Sequence, residues 1–258
     1  MEVMHNGCPR RLEVAATLEQ LAEAKALDDL AFGGHLGISM EELIEITAHG
    51  AVLLLRDPKG NLSGETQVIT SPVKEHPDLP CDEAYNYGTA VHPNLQNQGL
   101  AQILFKGQER IAIEAGKTKN TLTVRLENAQ SLRGRFKLGY TVTGYIPNCY
   151  GSLSEGGARL IMEKNHTQPC TTPSAAFISR LVTDRKVLIV DQNSVDQVIQ
   201  NGPTYVGIMV KNGDQIDFTA HPVVASVFGT NYFVGIGLLK PDEFGSLQDE
   251  SLFVLQHR

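Results

Sequence analysis

The chain lacks the sequence signatures of several common protein classes. Its four cysteines form no C-x-x-C pair and have no histidine at metal-ligand spacing, so we expect reduced thiols and no metal site. The longest apolar runs, residues 51–55 and 187–190, are far shorter than the about 20 residues that span a bilayer, and no apolar leader opens the chain. We therefore expect a soluble, cytoplasmic protein without a membrane partner.

Basic residues are also in short supply. The chain has 22 Lys and Arg against 29 Asp and Glu, a net charge of −7, which argues against nucleic acid as a partner and favours neutral or cationic ones. Its 258 residues exceed the usual length of one domain and predict about two domains. We place the boundary at a Pro- and Thr-rich stretch, so that residues 1–165 form the first domain and 166–258 the second.

One stretch lacks acidic residues where they are normally found. An alternating run ending at Val91 predicts a strand, and apolar spacing from Leu100 predicts a helix, yet no Asp or Glu lies between Ala84 and Gln108. Helix N-termini usually attract carboxylates because their backbone amides carry partial positive charge. The vacant amides around Gly99 predict an anion site that suits a phosphate, although a helix that merely begins at a glycine explains the same residues.

The residues of this turn resemble a known motif. The sequence Q-x-x-G-x-A at 96–101, after V-H-P, is similar to the pyrophosphate loop of the GNAT superfamily of acyl-CoA-dependent N-acyltransferases. Residues 128–140, which read N-A-Q-S-L-R-G-R-F-K-L-G-Y, resemble a later segment of that superfamily. The resemblance covers about residues 10–164. It implies an α/β fold with a mixed sheet of about seven strands flanked by helices, and acetyl-CoA as the acyl donor.

The resemblance also implies a set of cofactor-binding residues. The pantetheine arm would pair with the backbone near Ala90 and Val91, with His92 ordering the loop that follows. Asn128 would contact the cofactor arm, although its use as a helix N-cap explains it equally well, and Phe136 would pack in the core and form a wall for the cofactor. The pyrophosphate would bind the loop residues Gln96, Asn97, Gln98, Gly99, Leu100 and Ala101.

The general acid is where the chain departs from the resemblance. Many GNAT members carry a tyrosine seven residues after the Asn, and here that position is Arg135. We interpret Arg135 as a solvated helix charge, or else as a fixed cation that stabilises the leaving thiolate or a cofactor phosphate. The replacement candidates are Tyr140, Tyr145 and Tyr150. We choose Tyr150 because its Pro- and Gly-bounded loop lets it reach the mouth of the site.

The remaining catalytic groups are expected on the central strand. A backbone amide in the segment from Thr89 to Val91 is the candidate donor to the oxyanion that forms when an amine attacks the thioester. Glu83, just before the strand, is the candidate base acting through a water. Cys149 is expected to be a free thiol, so that no acyl-cysteine intermediate is needed.

The second domain resembles no family and is predicted to be smaller and β-rich. Asn212-Gly213 predicts a two-residue hairpin, and a helix is expected over residues 194–200. The predicted strands are 177–182, 187–190, 205–211, 215–219, 223–228 and 232–238. A cap over the site, a dimerisation surface and a separate binding module are all compatible with this pattern, so a homodimer stays open.

The sequence therefore predicts an N-acetyltransferase that moves an acetyl or short acyl group from acyl-CoA to a primary amine, on a small molecule or a peptide, by direct attack. The alternatives are a non-catalytic acyl-CoA-binding or regulatory module, and a loop that binds some other phosphate.

Overall fold

The computed structural model describes residues 1–33, 37–168, 173–211, 217, 219–230, 232–244 and 250–258. Their contacts divide the chain into two compact units. The first unit comprises Met1–Thr121 and Asn165–Gln168, and the second comprises Leu122–Lys164 and Pro169–Arg258. Each unit thus consists of two segments of the chain. The predicted domains divide the chain at one point, between residues 165 and 166, and that boundary stays a prediction.

Two capping boxes begin helices of the first unit. The sequences T-L-E-Q at 17–20 and S-M-E-E at 39–42 predict such boxes, and the structure confirms both. In each box, the two side chains satisfy two backbone amides. The strands are β1 (Glu2–His5), β2 (Cys8–Val14), β3 (Gly50–Arg56), β4 (Leu62–Ile69), β5 (Glu83–Val91) and the first residues of β6 (Lys119–Val124). The helices are α1 (Leu18–Phe32), α2 (Met40–His49) and α3 (Leu100–Glu114).

The sheet of the first unit is covered by helices on both faces. Its strands pair in the order β1-β2-β3-β4-β5-β6, antiparallel as far as β5 and parallel between β5 and β6. On β3, Val52 and Leu54 share a buried cluster with residues of α1 and α2, whereas Leu53 and Leu55 share one with residues of α3. Burial of both faces accounts for the continuous apolar run of this strand.

The central strand β5 changes its pairing partway along. Thr66 pairs with Thr89 and Val68 with Asn86, so β5 carries one extra residue opposite Gln67 and forms a bulge. Its pairing with β6 ends at Tyr85. The backbone of residues 89–91, where a pantetheine arm is predicted to pair, therefore lies beyond the last β5–β6 pair.

The N-terminal hairpin was missed by sequence reasoning. The apolar residues at 12–16 predict a first strand there, but the structure has β2 beginning at Cys8 and β1 before it. Asn6 and Gly7, with φ of 49° and 77°, form the turn between them. Asn-Gly is a strong two-residue hairpin signal because both positions tolerate positive φ.

The second unit holds the remaining elements. In it, strands are neighbours in the order β6-β8-β7-β11-β12-β10-β9. Antiparallel pairing of Gly235 with Val142 joins β7 to β11. A Cβ at position 235 would lie 2.8 Å from that of Val142, so glycine permits the close approach of the two strands.

The strands are β7 (Thr141–Ile146), β8 (Arg159–Asn165), β9 (Leu188–Val190), β10 (Tyr205–Lys211), β11 (Phe233–Leu239) and β12 (Glu250–His257). The helices are α4 (Ala129–Lys137), α5 (Ala175–Thr183), α6 (Val195–Gln200), α7 (Ala220–Gly229) and α8 (Pro241–Phe244).

Two of the strands predicted after residue 166 are wrong. Residues 177–182 lie in α5, which Ser174 caps and which buries Ile178 and Leu181 at helical spacing. Residues 223–228 lie in α7, whose β-branched residues are buried at positions typical of a helix face, so packing overrides their strand propensity. The strand β12 and the helix α8 were not predicted. The Asn212-Gly213 hairpin, and most of the predicted strand 215–219, fall outside the described residues.

The predicted fold class, a mixed α/β sheet with flanking helices, is confirmed. The described residues contain twelve strands in all, eight of them before residue 166, so the count of seven is not confirmed. Within the described ranges, no helix combines the length and apolar character needed to cross a membrane. The same residues include no group of three or more His, Cys, Asp or Glu side chains arranged to hold a metal.

Candidate functional site

The loop at 96–101 presents backbone amides. Asn97 and Gly99 have left-handed φ of 61° and 82°, and Gly99 is the N-cap of α3 without any side-chain cap. The first turn of α3 contains no acidic residue. Within the described part of the chain, no carbonyl or side chain accepts a hydrogen bond from the amides of Gly99, Leu100 or Ala101. These amides form the open donor end of a 15-residue helix, which suits an anion.

The N-terminal hairpin holds this loop from one side. His5 Nε2 lies 2.6 Å from the carbonyl oxygen of Gln98, and a Cβ on Gly99 would lie 3.3 Å from the His5 ring. The Gln98 carbonyl and the Gly99 amide belong to one planar peptide unit and point in opposite directions. A hydrogen bond that fixes the carbonyl therefore also fixes the direction of the Gly99 N–H.

The residues between β5 and the loop order each other. His92 Nδ1 accepts a hydrogen bond of 3.3 Å from the amide of Asn94, at the start of a 3-10 turn. Gln96 Nε2 donates to the carbonyl of Val91 at 3.4 Å. The side chains of His92 and Gln96 thus shape the loop, which leaves anion binding to the backbone.

The end of β5 is buried and hydrogen-bonded through its side chains. The Thr89 hydroxyl lies 2.6 Å from that of Thr66, which also accepts from Gln108 Nε2 at 2.6 Å. Ala90 is buried, whereas Val91 is half-buried. The Thr89 side chain is therefore part of the packing, and the catalytic role predicted for this segment rests on its backbone amides.

Glu83, the predicted base, has both carboxylate oxygens in contact with neighbours. Its Oε1 pairs with Lys119 Nζ, and its Oε2 accepts a hydrogen bond of 2.9 Å from the Thr121 hydroxyl. A water or an amine that used Glu83 as a base would therefore compete with Lys119 and Thr121 for its carboxylate oxygens.

A different carboxylate lies beside the end of β5. Glu65 on β4 pairs with Ala90, is completely buried, and accepts from Gln67 Nε2, while its Oε1 has no partner among the described residues. Burial, reinforced by the charge of Asp28 on α1, raises the pKa of Glu65 well above its usual range. Burial also raises the pKa of Asp28, although its Oδ2 accepts a hydrogen bond of 2.7 Å from the Ile38 amide. The sequence predicts a strand over residues 62–70, which the structure confirms as β4, but sequence reasoning missed Glu65, although a charged residue inside that strand was a signal.

In the second unit, Asn128 and Phe136 occupy the positions that the sequence predicts for them on α4. Asn128 Oδ1 caps the helix by accepting from the Ser131 amide at 3.1 Å, and Phe136 packs in the core with Leu132. Arg135 is buried, with its guanidinium carbon 5.2 Å from the centroid of the Tyr140 ring. The interpretation of Arg135 as a solvated helix charge is therefore wrong.

The three candidate tyrosines have different surroundings within the second unit. Tyr140 is fully buried against Arg135, and Tyr150 is 53% exposed with its ring centroid 4.9 Å from the guanidinium carbon of Arg159. Tyr145 is half-buried, and its hydroxyl lies 2.8 Å from Nδ1 of His221. His221 belongs to α7, in the part of the chain where sequence reasoning placed no functional residue.

Comparisons with known proteins identify the fold. No protein-family model and no curated protein matches the chain. Among solved structures, the ribosomal-protein-S18-alanine N-acetyltransferase from Escherichia coli matches with a TM-score of 0.50 and 18% identity, covering 64% of this chain and 99% of that one. A putative phosphinothricin N-acetyltransferase matches with a TM-score of 0.51 and 16% identity, covering 62% and 99%. A structure of the NatC complex bound to Gag peptide and CoA matches with a TM-score of 0.51 and 15% identity, covering 60% and 98%.

Identity this low establishes a shared fold and no more. The match covers these acetyltransferase chains almost completely and leaves more than a third of the present chain unmatched. The chain shares the fold of these structures over 60–64% of its length.

Proposed function

We propose that the chain is an acyl-CoA-dependent N-acyltransferase that moves an acetyl or short acyl group from acyl-CoA to a primary amine by direct attack. The observation that carries the proposal is the open N-terminus of α3, where the amides of Gly99, Leu100 and Ala101 have no protein acceptor within the described residues. A pyrophosphate is a doubly charged anion that such amides bind well. One structure of the same fold contains CoA, which supports acyl-CoA as the ligand.

The rest of the chemistry follows from the central strand. The pantetheine arm would pair with the backbone at Ala90 and Val91, beyond the end of the β5–β6 pairing. An amide between Thr89 and Val91 would then donate to the oxyanion. The sequence proposes Glu83 as the base and Tyr150 as its first choice of acid among Tyr140, Tyr145 and Tyr150. The acceptor is an amine of a small molecule or a peptide.

The acceptor amine determines how much help from a base is required. A lysine-like amine with a pKa of about 10.4 costs roughly 4–5 kcal/mol to deprotonate at pH 7, whereas an α-amine with a pKa of about 7.8 costs only about 1 kcal/mol. Because Glu83 is held by two partners, we expect α-amines to react faster than lysine-like amines at neutral pH.

The test is the affinity for acetyl-CoA of Gly99→Glu, measured by isothermal titration calorimetry. The variant places a carboxylate at the amides and adds strain at a φ of 82°, so we expect the Kd to rise more than about tenfold. Gly116→Glu is the matched control, because Gly116 has a φ of 74° just beyond the other end of α3 and its added side chain meets open space. Equal affinity in the two variants would contradict the proposed site.

The second arm of the test is catalysis. Wild-type protein with acetyl-CoA and a panel of α-amines, lysine-like amines and short peptides should release CoA in an amine-dependent manner, detected with a thiol reagent. Tight binding of acetyl-CoA without such release would refute the enzymatic assignment and would indicate a non-catalytic acyl-CoA-binding module.

A further inference from the structure

A buried glutamine of α3 contacts β4 opposite the bulge of β5. Gln108 is completely buried, and its Nε2 donates to the Thr66 hydroxyl at 2.6 Å and to the Gln67 carbonyl at 2.8 Å. Both acceptors belong to β4, where the register shifts at the extra residue of β5. Because a buried donor that loses its acceptors costs free energy, these bonds hold α3 and β4 together at this point.

Two hydroxyls carry the contact on to the backbone of β5. Thr66 Oγ1 lies 2.6 Å from the Gly88 carbonyl oxygen and 2.6 Å from Thr89 Oγ1, which lies 2.8 Å from the same carbonyl. Each hydroxyl has one proton, and Gln108 already donates to that of Thr66. Either Thr66 donates to the carbonyl and Thr89 to Thr66, or Thr89 donates to the carbonyl and Thr66 to Thr89. The Gly88 carbonyl accepts a hydrogen bond in both arrangements.

The carbonyl that these hydroxyls hold shares a peptide unit with the amide of Thr89. The Gly88 C=O and the Thr89 N–H lie in one plane and point in opposite directions. A hydroxyl that fixes the carbonyl therefore also fixes the direction of the amide. Since the carbonyl points toward Thr66 on β4, the amide points away from β4.

The register of the two strands gives the same direction independently. The His92 amide donates to the Ser63 carbonyl at 3.0 Å, and hydrogen-bonded pairs alternate with non-bonded pairs along an antiparallel ladder. The same register continues to the pair of Thr66 with Thr89, three residues along, which is therefore a non-bonded pair. Its amides point outward from the pair of strands. On the outward side of β5, the pairing with β6 has already ended at Tyr85.

This arrangement suits the oxyanion donor of the proposed reaction. The Ala90 amide belongs to a bonded pair by the same alternation and points toward β4, whereas the Val91 amide lies two residues further from the bulge. We propose that the Thr89 amide is the donor to the oxyanion, and that Gln108 and Thr66 are positioning residues that hold it in place. The inference rests on the proposed function and deepens it.

The step requires no proton from these residues. The amine nitrogen bonds to the thioester carbon, the electron pair of the C=O double bond moves to oxygen, and the oxyanion accepts a hydrogen bond from the Thr89 amide. The double bond then re-forms, and the carbon–sulfur bond breaks with its electron pair going to sulfur. The nitrogen gives one proton to water, and the thiolate takes one from water. Gln108 and Thr66 keep their protons throughout.

The test is single-turnover CoA release at saturating acetyl-CoA with the best amine. Thr66→Val removes the hydroxyl with little change of shape and should slow release by about tenfold, because the amide stays but is less well directed. The double variant Thr66→Val, Thr89→Val removes both hydroxyls and should approach the about 10²–10³-fold cost of losing an oxyanion donor. The Kd for acetyl-CoA should stay within about twofold in both, because the bond strengthens only in the transition state.

Three further variants separate positioning from a general effect on the sheet. Thr66→Ser keeps the hydroxyl and should recover most of the rate, whereas Gln108→Met keeps the length of the side chain, loses the donor and should be slower than wild type. Thr70→Val is the matched control, because the Thr70 hydroxyl donates to the His49 carbonyl at 3.2 Å just beyond β4. Its rate should equal that of wild type, and a loss as large as in Thr66→Val would overturn the proposal.

Amide proton NMR identifies the donor directly. Addition of acetyl-CoA should move the Thr89 amide proton of wild type and of Thr70→Val downfield, because the thioester carbonyl accepts from it, and should move that of Thr66→Val less. A downfield shift at Val91 with none at Thr89 would overturn the proposal.

The outcomes separate the inference from the function on which it rests. Wild-type protein that binds acetyl-CoA but releases no CoA with any amine refutes the proposed function. Active wild-type protein, with Thr66→Val equal to Thr70→Val in rate and in the Thr89 shift, refutes the positioning role alone. If Thr66→Val fails to fold, the wild-type spectra and Thr89→Val, at a half-buried position, decide the question: an unmoved Thr89 proton or an undiminished rate would refute the inference.

Discussion

The two units each bury a glutamate, and the two side chains behave in opposite ways. Glu127 in the second unit accepts hydrogen bonds from His221 and from the Asp217 amide, and its pKa is lowered. Glu65 in the first unit has Asp28 as its charged neighbour and an oxygen without a partner among the described residues, and its pKa is raised. Burial raises the pKa of both carboxyls, so the partners decide the outcome.

This difference sets the charge of the two carboxyls. Glu127 contacts His221 and is ionised at neutral pH, because its pKa is lowered. Burial favours the neutral form of Glu65 beside Ala90, because it raises the pKa of that carboxyl.

The largest effect is expected from Glu127→Ala. The change leaves His221 and the Asp217 amide buried without their acceptor, and breaking a buried pair of this kind typically costs about 3–5 kcal/mol. Urea unfolding followed by circular dichroism measures the loss. Glu250→Ala, at the half-buried first residue of β12, is the control and should cost much less. A loss for Glu127→Ala no greater than the control would mean that the cluster does not stabilise the fold.

Glu65→Gln should raise the free energy of unfolding, by less than Glu127→Ala lowers it. The folded-state pKa of Glu65 lies above its unfolded value, so its contribution to stability is complete below the unfolded pKa and is lost as pH rises through the folded pKa. Glutamine is isosteric and never ionises, so we expect it to stabilise the protein by about 1–3 kcal/mol at alkaline pH and hardly at all near pH 4.

Melting temperatures between pH 4 and 9 test this prediction. The Glu127 carboxyl has the opposite pH dependence, because its folded-state pKa is lowered. Its contribution to the stability of the fold is present above the unfolded-state pKa and is lost as pH falls through the folded-state pKa. Wild type and Glu65→Gln should therefore diverge on the alkaline side only. Parallel curves over the whole range would show that Glu65 is ionised without penalty.

The loop at 96–101 was predictable from the sequence because its signal is local. The missing carboxylates and the glycine lie within the residues that form the site, and both capping boxes were recognised for the same reason. The Asn6-Gly7 turn carried an equally local signal that was overlooked, and with it His5, which holds the Gln98 carbonyl. The information was present in the sequence in both cases.

The burial of the two glutamates and the contacts of His221 with Glu127 and Tyr145 were not predictable in this way. Glu127 and His221 are 94 residues apart, and Tyr145 and His221 are 76 apart, so only tertiary packing brings them together. His221 also lies at the start of α7, where the β-branched residues that follow favoured a strand. For Glu65, the strand was predicted correctly, but its burial depends on which face of β4 is covered.

The smallest effect, and the finest test of the comparison, is expected from Asp28→Asn. The change removes the charge that helps burial to raise the pKa of Glu65, and it keeps an oxygen to accept from the Ile38 amide. We expect the Glu65 pKa to fall but to stay above the ordinary glutamate value, because burial is the larger cause of the shift and it remains. Carbon-13 NMR titration of the Glu65 carboxyl measures this shift.

Asp29→Asn is the control, since Asp29 pairs with Lys25 at 2.8 Å and is not among the charges that shift the pKa of Glu65. A fall to the ordinary glutamate value in Asp28→Asn would show that the neighbouring charge, and not burial, sets the protonation of Glu65.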